Sequence, residues 1–475
     1  MTDANQARLS LGALTALAIG SMVGSGIFVL PSAFGRATGA AGAMIAWTIA
    51  AAGMLSLAFV FQILSRRRPD LDSGIYAYAK AGFGNYMGFV AAVGYWIGCC
   101  LADTACLVLI KATLGLFFPV FGDGTTVVAI VSASLLLWGV HLLVARGIKE
   151  AAAVNTIGTV AKLVPIAIFI AVAIAGFRPE IFAANFWGDE TASLSSVASQ
   201  TRNTMLVTVF VFVGIEGASV YSRYAARRKD VGLATVLGFL TVLSLLVATT
   251  MLSYGVLLRP DLAELPTPAM AGVMAALVGP WGRVFVSIGM LISILGNYLS
   301  WSLLAAEVLH SAALNGTMPS FLARENAHGV PISALWLTNI VIQVFLIVTW
   351  FAEQAFTLAL KMTSAMTLVP YLLVAAYGLK LAWTGETYLP GDRRVRQGIY
   401  GGIATVYTAG MIYAGGLKFL LLSTLLYAPG TLLYLYAMKD REGPVFSPTE
   451  RIAFVFIVVV ALAALYALAT GAIVV

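Results

Sequence analysis

The chain has 475 residues, of which 60% are hydrophobic and only 10% are charged. Soluble domains carry roughly 25% charged residues, so this composition excludes an ordinary soluble enzyme, and the high apolar content also excludes a disordered chain. The formal net charge of +7 comes without a separate basic module, so we expect no binding of nucleic acid. No polar stretch is long enough to bury its own core. The sequence therefore predicts an all-α polytopic membrane protein.

Thirteen apolar runs reach the roughly 20 residues that a helix needs to cross a bilayer. The first starts at Leu9 and lacks a cleavage site before a polar domain, so we expect a span and not a signal peptide. The runs cover 10–34, 40–65, 86–118, 124–146, 152–177, 201–222, 231–258, 278–311, 331–352, 355–382, 397–417, 419–438 and 452–475. The last run follows a polar loop, which makes it an addition to a core of twelve.

The basic residues predict an orientation, because cytoplasmic loops of membrane proteins hold an excess of lysine and arginine. With the N-terminus inside, 19 of the 28 fall on the inner side, six on the outer side and three within spans. We therefore expect a multi-pass protein of the cytoplasmic (inner) cell membrane with a cytoplasmic N-terminal tail.

Glycines interrupt the first and sixth runs. The first contains Gly20, Gly24 and Gly26 at mid-membrane depth, and in the sixth Gly214 and Gly217 flank a glutamate. A glycine costs a helix about 1 kcal/mol relative to alanine, and a break inside the bilayer survives only where it lines a cavity or is buried. Either break alone also fits a small-residue packing surface. Two breaks five runs apart favour inverted five-helix repeats around a central transport site.

The broken ends predict a ligand chemistry. A half-helix that begins near Gly26 directs free N–H groups and a partial positive charge into the cavity, which suits a carboxylate. The unwound carbonyl groups opposite suit an ammonium group. An α-amino acid carries both groups.

Four charged residues lie deep in predicted spans: Asp103, Lys162, Glu216 and Glu307. A charge that faces lipid at such depth costs about 2.5–3.5 kcal/mol, so all four should face the protein interior. Asp103 either meets the cationic end of a substrate or forms an internal contact, such as an ion pair with Lys162. Lys162 either replaces a coupling cation, carries a proton, or serves in a plain structural pair.

Other polar and aromatic side chains within the runs give weaker predictions. Lys111 and Lys361 lie nearer span ends and are expected to snorkel to the interface. The polar stripe in the eighth run and the hydroxyls of the tenth are expected to line or flank the cavity, although such hydroxyls often bond to their own helix. Aromatic residues that could close over a substrate are Tyr95, Phe210 and Trp301. The three cysteines read as small buried hydrophobes, and no catalytic or metal-binding spacing is present, so we expect no enzyme, metal or cofactor.

Four segments resemble a known family. Residues 20–31, 72–78 and 214–219 are similar to motifs of the amino acid, polyamine and organocation superfamily, and residues 226–232 are similar to its basic amino acid antiporters, most of all arginine/ornithine exchangers. The resemblance covers roughly 10–440. It implies a core of ten helices in the inverted-repeat fold, two peripheral helices and alternating access to one central site.

The same resemblance implies roles for individual residues. The segment Gly24, Ser25 and Gly26 would hold the substrate carboxylate, and Glu216 would contribute to gating. Gate aromatics would be Phe210, Trp301 and Tyr371, and Thr363 would lie near a polar substrate contact. Lys162 is similar to a lysine that replaces sodium in proton-coupled relatives. The chain departs from arginine/agmatine exchangers, which have an amide where Asp103 aligns and a tryptophan near Phe210.

We therefore expect an exchanger of cationic amino acids, with arginine and ornithine as the leading pair and lysine as a further substrate. The alternative is a proton-coupled importer in which Lys162 or Glu216 would titrate. The expected divisions are a tail at 1–9, repeats at 10–177 and 201–382, peripheral spans at 397–438 and a thirteenth span at 452–475. The expected partners are these substrates, the lipid bilayer and a second copy in a homodimer.

Overall fold

A computed structural model describes residues 10–71, 74–147, 151–188, 193–216, 227–352, 354–439 and 444–473, with side chains left out at 151–161 and 228–229. Three of the expected motifs lie partly outside these residues: 72–78 at 72–73, 214–219 at 217–219, which includes Gly217, and 226–232 at 226. Throughout the described part of the chain, the regular structure is helical.

The described helices number eighteen. They are α1 (Leu11–Met22), α2 (Leu30–Ala37), α3 (Ala40–Arg67), α4 (Ile75–Phe83), α5 (Asn85–Gly115), α6 (Val127–Ala145), α7 (Ala151–Ala175), α8 (Pro179–Ala184), α9 (Leu194–Phe210), α10 (Arg228–Ser253), α11 (Arg259–Glu264), α12 (Ala269–Val278), α13 (Pro280–Leu314), α14 (Ile332–Val348), α15 (Ala355–Thr384), α16 (Arg394–Gly415), α17 (Leu417–Met438) and α18 (Pro448–Ala469). Short helices α4, α8, α11 and α12 occupy segments that the sequence left as connections.

A helix lies at each of the thirteen expected runs. Within the described residues, nine helices are long and apolar enough to cross a membrane, or ten if the bent pair that contains α1 and α2 is one span. Two others fall short for physical reasons. α9 stops after 17 residues at a break, and α16 contains several glycines and tyrosines that lower its mean hydropathy.

Helix α5 lies at the centre of the molecule. Its most apolar stretch is wholly buried, and it packs against α4, α13, α14 and α15. This helix carries a small-residue stripe, which consists of Gly94, Gly98, Ala102 and Cys106 at a spacing of four. The stripe allows the close contact, because a Cβ atom added to Gly98 would lie 2.7 Å from Thr367 Cγ2, and one added to Gly94 would lie 2.9 Å from the Met366 carbonyl oxygen. Functional side chains on α5 therefore point into protein on every side.

A single carboxylate joins the last helix to α5. Glu450 closes a capping box with Ser447 at the start of α18, and its other oxygen accepts a hydrogen bond of 2.7 Å from the Tyr86 backbone N–H in the first turn of α5. The N–H groups of a first helical turn lack intrahelical partners, so this contact satisfies one of them. The thirteenth run is thus anchored to the central helix at one end.

Candidate substrate-binding site

The first helix is broken, as the glycines predict. α1 ends at Met22, a 3₁₀ turn runs over Ser25–Val29, and the axis bends by 48° across the break. Gly26 is required by close packing, because an added Cβ atom would lie 2.6 Å from Val211 Cγ1 and 3.0 Å from Phe210 Cδ1. The backbone at the start of the 3₁₀ turn therefore directly faces the end of α9.

A second interruption follows α9, which ends at Phe210 and gives way to a turn over residues 211–216. Gly214 has φ +103°, a conformation that favours glycine. The Ser21 hydroxyl of α1 donates a hydrogen bond of 2.8 Å to the Gly214 carbonyl oxygen. The two interruptions are thus in direct contact, as a shared central site requires.

A narrow cavity lies between the two interruptions. Its volume is about 30 Å³, which holds roughly one or two water molecules and not an amino acid. Six of the seven predicted substrate-binding residues line it: Gly24, Ser25, Gly26, Phe210, Trp301 and Thr363. Two of these, Phe210 and Trp301, are aromatic side chains.

Asp103 is the seventh predicted residue, and it is not part of the cavity lining. Its neighbours Ala102 and Cys106 line the cavity, whereas Asp103 is fully buried beside it. Neither of its carboxylate oxygens has a hydrogen-bond partner in the described part of the chain. The buried hydroxyl of Tyr298 has no partner there either. A buried carboxylate in this condition is costly unless a cation or a proton neutralises it.

The three residues Glu216, Tyr95 and Tyr371 meet in one buried cluster. The Tyr371 hydroxyl donates a hydrogen bond of 2.7 Å to one oxygen of Glu216, and the Tyr95 hydroxyl donates a short one to the other. Since Tyr95 comes from α5 and Tyr371 from α15, the carboxylate connects the second interruption to two long helices. All three were expected from the sequence to act in gating.

Lys162 contacts the backbone at the first interruption. Its ammonium group is buried and donates a hydrogen bond of 2.8 Å to the carbonyl oxygen of Gly20, in the last turn of α1. Because both oxygens of Asp103 lack partners among the described residues, the alternative of a Lys162–Asp103 ion pair is wrong. The lysine instead satisfies a carbonyl group where the helix stops.

Cavity residues beyond the predicted set come from both interruptions and from α5. Ser21 and Cys106 line the cavity, and the Cys106 Sγ lies 4.0 Å from the Ser25 Oγ. The cysteines are free and buried, as expected. The four-residue spacing of the small-residue stripe, which ends at Cys106, was the available signal. Asn297, from the predicted polar stripe, also lines the cavity.

Three expectations about polar side chains are wrong or weakened. Glu307 is exposed, and not turned to the interior, because it lies on the outer face of α13, whereas Ala306 and Leu309 on its other faces are buried. Lys111 is buried near the Phe121 ring instead of snorkelling. The Thr363 hydroxyl donates to the Ala359 carbonyl oxygen of its own helix, so it is satisfied without a ligand. Among the described residues, no three His, Cys, Asp or Glu side chains could hold a metal ion.

A broken first helix that meets the end of α9 at a buried site, with a carboxylate and an ammonium group fixed there, is typical of a polytopic membrane transporter. The profile of the amino acid permease family matches residues 9–466. The chain belongs to this family.

Curated relatives match over nearly the whole chain. An arginine/ornithine antiporter of Pseudomonas aeruginosa is 52% identical over 99% of both chains. An L-lysine transport protein of Corynebacterium glutamicum is 41% identical over 98% of this chain and 95% of its own. An arginine/agmatine antiporter of Chlamydia caviae is 38% identical over 96% of both chains.

Proposed function

We propose that the protein exchanges cationic amino acids across the cytoplasmic membrane by alternating access, with arginine and ornithine as its principal pair. The observation that carries this proposal is the buried Asp103, whose carboxylate has no partner among the described residues and lies one helical position from the cavity wall. A cationic side chain would supply the missing counter-charge. The relatives named above, which transport arginine, ornithine, lysine or agmatine, support the same substrate class.

In this proposal the backbone N–H groups of Gly24, Ser25 and Gly26 bind the substrate carboxylate, since a helix start favours negative charge. Phe210 and Trp301 close over the bound substrate, and Thr363 contributes a polar wall. Glu216, with Tyr95 and Tyr371, forms a gate. Lys162 provides the fixed positive charge of a coupling cation, which makes sodium unnecessary.

The proposed architecture has two inverted repeats, at 10–177 and 201–382, with the N-terminus in the cytoplasm. Residues 397–438 and 452–475 form peripheral spans. Association as a homodimer is part of the proposal, and the mass of the detergent-solubilised protein, measured by light scattering, tests it. Cysteine accessibility from either side of sealed vesicles tests the orientation.

Uptake of labelled arginine into proteoliposomes tests the function. The vesicles are loaded with ornithine, arginine, a neutral amino acid or buffer alone. We expect rapid uptake only with the two cationic loads, because exchange requires substrate on the far side. Uptake into buffer-loaded vesicles that depends on an inward proton gradient would instead establish the proton-coupled importer.

Asp103→Asn tests the recognition of the cationic group. We expect the apparent affinity for arginine to fall at least about tenfold, because a hydrogen bond to a charged group contributes about 1.5–3 kcal/mol. The free energy of unfolding should not fall, since the asparagine breaks no contact seen among the described residues. Asp261→Asn, an exposed position on α11, is the matched control. Unchanged arginine affinity in Asp103→Asn would exclude contact between this residue and substrate.

A further inference from the structure

A second cavity lies far from the substrate site, where α3 ends and α16 begins. Its volume is about 450 Å³, and it opens to the surface. Four of its lining residues are arginines: Arg66 and Arg67 from α3, and Arg393 and Arg396 from the start of α16. The transport mechanism proposed above uses none of them.

One of these arginines is already neutralised. The Arg67 guanidinium bonds Asp392 at 3.1 Å and the Gln397 side-chain oxygen at 2.7 Å, and it stacks 3.5 Å from the centre of the Tyr388 ring. The Leu389 backbone N–H and the Arg67 guanidinium hold the pKa of Asp392 below its usual value. Asp392 is therefore a stable partner of Arg67 and leaves the other arginines uncompensated.

The remaining three arginines have no ion-pair partner within the described residues. Arg66, Arg393 and Arg396 are exposed, and the hydrogen bond that Arg396 makes, 2.9 Å to the Tyr400 hydroxyl, is to a neutral group. Three guanidinium groups around one concave surface repel one another. An anion bound between them would relieve this repulsion and accept several charge-assisted hydrogen bonds.

The start of α16 adds to the positive potential. Its N-cap residue, Arg393, makes no side-chain capping bond, and its first turn contains no acidic residue. The free N–H groups and the helix dipole at such an end favour a phosphate.

α10 also reaches this cavity, because the Gln62 side chain, which lines it, packs directly onto Gly232. Gly232, near the start of α10, therefore lies beside the same cavity.

The other side of the cavity is apolar. Phe59 and Tyr400, both lining residues, stack with ring centres 4.6 Å apart. Beyond them α16 exposes Ile399, Ile403 and Val406, the last at 74%, on the kind of surface that a membrane helix presents to lipid. A charged pocket that continues into such a surface matches a molecule with an anionic head and apolar chains.

We propose that this cavity binds the phosphate group of an anionic phospholipid, with its acyl chains along the exposed face of α16. The shared chemistry is a phosphate, which inorganic phosphate could also supply, so the test compares the two sources. Substituting Arg393 and Arg396 removes two of the arginines of this cavity and leaves the Arg67–Asp392 ion pair intact.

The test is thermal unfolding of the purified full chain in a neutral detergent. The additions are phosphatidylglycerol, phosphatidylcholine or inorganic phosphate at constant ionic strength. We expect only phosphatidylglycerol to raise the Tm in a saturable way. In Arg393→Gln/Arg396→Gln the half-saturating lipid concentration should rise about thirtyfold, since each basic residue near a lipid surface contributes a factor of about five.

Arg146→Gln/Arg324→Gln is the matched control, because both arginines are exposed and lie outside the cavity. It should respond to lipid like the unmodified chain. If the first double variant does not fold, Arg66→Gln gives the same test with a change of about fivefold. Equal responses of the cavity variant and the unmodified chain, or an equal loss in the control, would overturn the proposal. Saturation by inorganic phosphate alone would overturn the assignment to lipid.

Discussion

The two helix interruptions both contain glycine but have opposite electrostatics. At the first, the broken segment offers a neutral carbonyl group, Gly20, and the charge comes from a neighbour, Lys162. At the second, the broken segment carries the charge, Glu216, and its neighbours supply neutral hydroxyl groups. Glycine marks where a membrane helix stops, whereas the partner of the freed polar group decides what the interruption can bind. Substitutions at the two interruptions should therefore have different consequences.

The largest effect is expected from Glu216→Ala. The hydroxyl groups of Tyr95 and Tyr371 would lose their acceptor while buried, and each unsatisfied group costs about 1–3 kcal/mol. We expect the free energy of unfolding to fall by about 2–6 kcal/mol, measured by denaturant unfolding in detergent, together with loss of arginine exchange.

Glu216→Gln is the control, because the amide can still pair with both hydroxyl groups. It should keep most of the stability that Glu216→Ala loses. If both variants lose the same stability, the hydrogen bonds are not what holds this interruption.

A smaller effect is expected from Lys162→Met, which keeps the length of the side chain and removes its ammonium group. The Gly20 carbonyl oxygen would lose the hydrogen bond from Lys162, at a cost of about 1–3 kcal/mol, and arginine exchange should slow about tenfold. Lys361→Met is the matched control, since this lysine is half-buried and its nitrogen lies 5.8 Å from the centre of the Phe419 ring, away from both interruptions. An equal effect of both substitutions would mean that Lys162 does not support the first interruption specifically.

A pair of glycine substitutions sharpens the comparison further. In Gly214→Ala the residue would keep φ +103° and place its Cβ atom 2.6 Å from the Ser21 carbonyl oxygen, so we expect a loss of about 1–3 kcal/mol in stability. In Gly24→Ala the nearest atom is the Asn297 amide nitrogen at 3.1 Å, on a side chain that can move.

The stability of Gly24→Ala should therefore change by less than about 1 kcal/mol. Its apparent affinity for arginine should nevertheless fall, because the new methyl group enters the cavity wall. Thermal unfolding and exchange kinetics on the same preparations separate the two effects. Equal destabilisation by the two alanines would contradict the difference between the interruptions.

Much of the fold could be predicted from the sequence. All thirteen apolar runs contain a helix, and the first interruption lies at the predicted glycines. These features follow from local terms: apolar length, glycine propensity and the cost of charge in lipid all act over one helix. The same reasoning failed for Glu307, because the packing of α13 against its neighbours, and not the apolar run, sets which of its faces is exposed.

The partners of the buried polar groups could not be predicted from the sequence, because they depend on the tertiary structure. Glu216 is 121 residues from Tyr95 and 155 from Tyr371, and Lys162 is 142 residues from Gly20. The sequence marked most of these residues as unusual, since buried charges and mid-span glycines are costly. Their partners depend on how helices cross, which is set by packing over the whole molecule. For this reason the sequence by itself determined the apolar spans, the position of the first break and the charged residues within the spans. Only the tertiary structure decided that Lys162 donates to a carbonyl group and that Asp103 has no partner among the described residues.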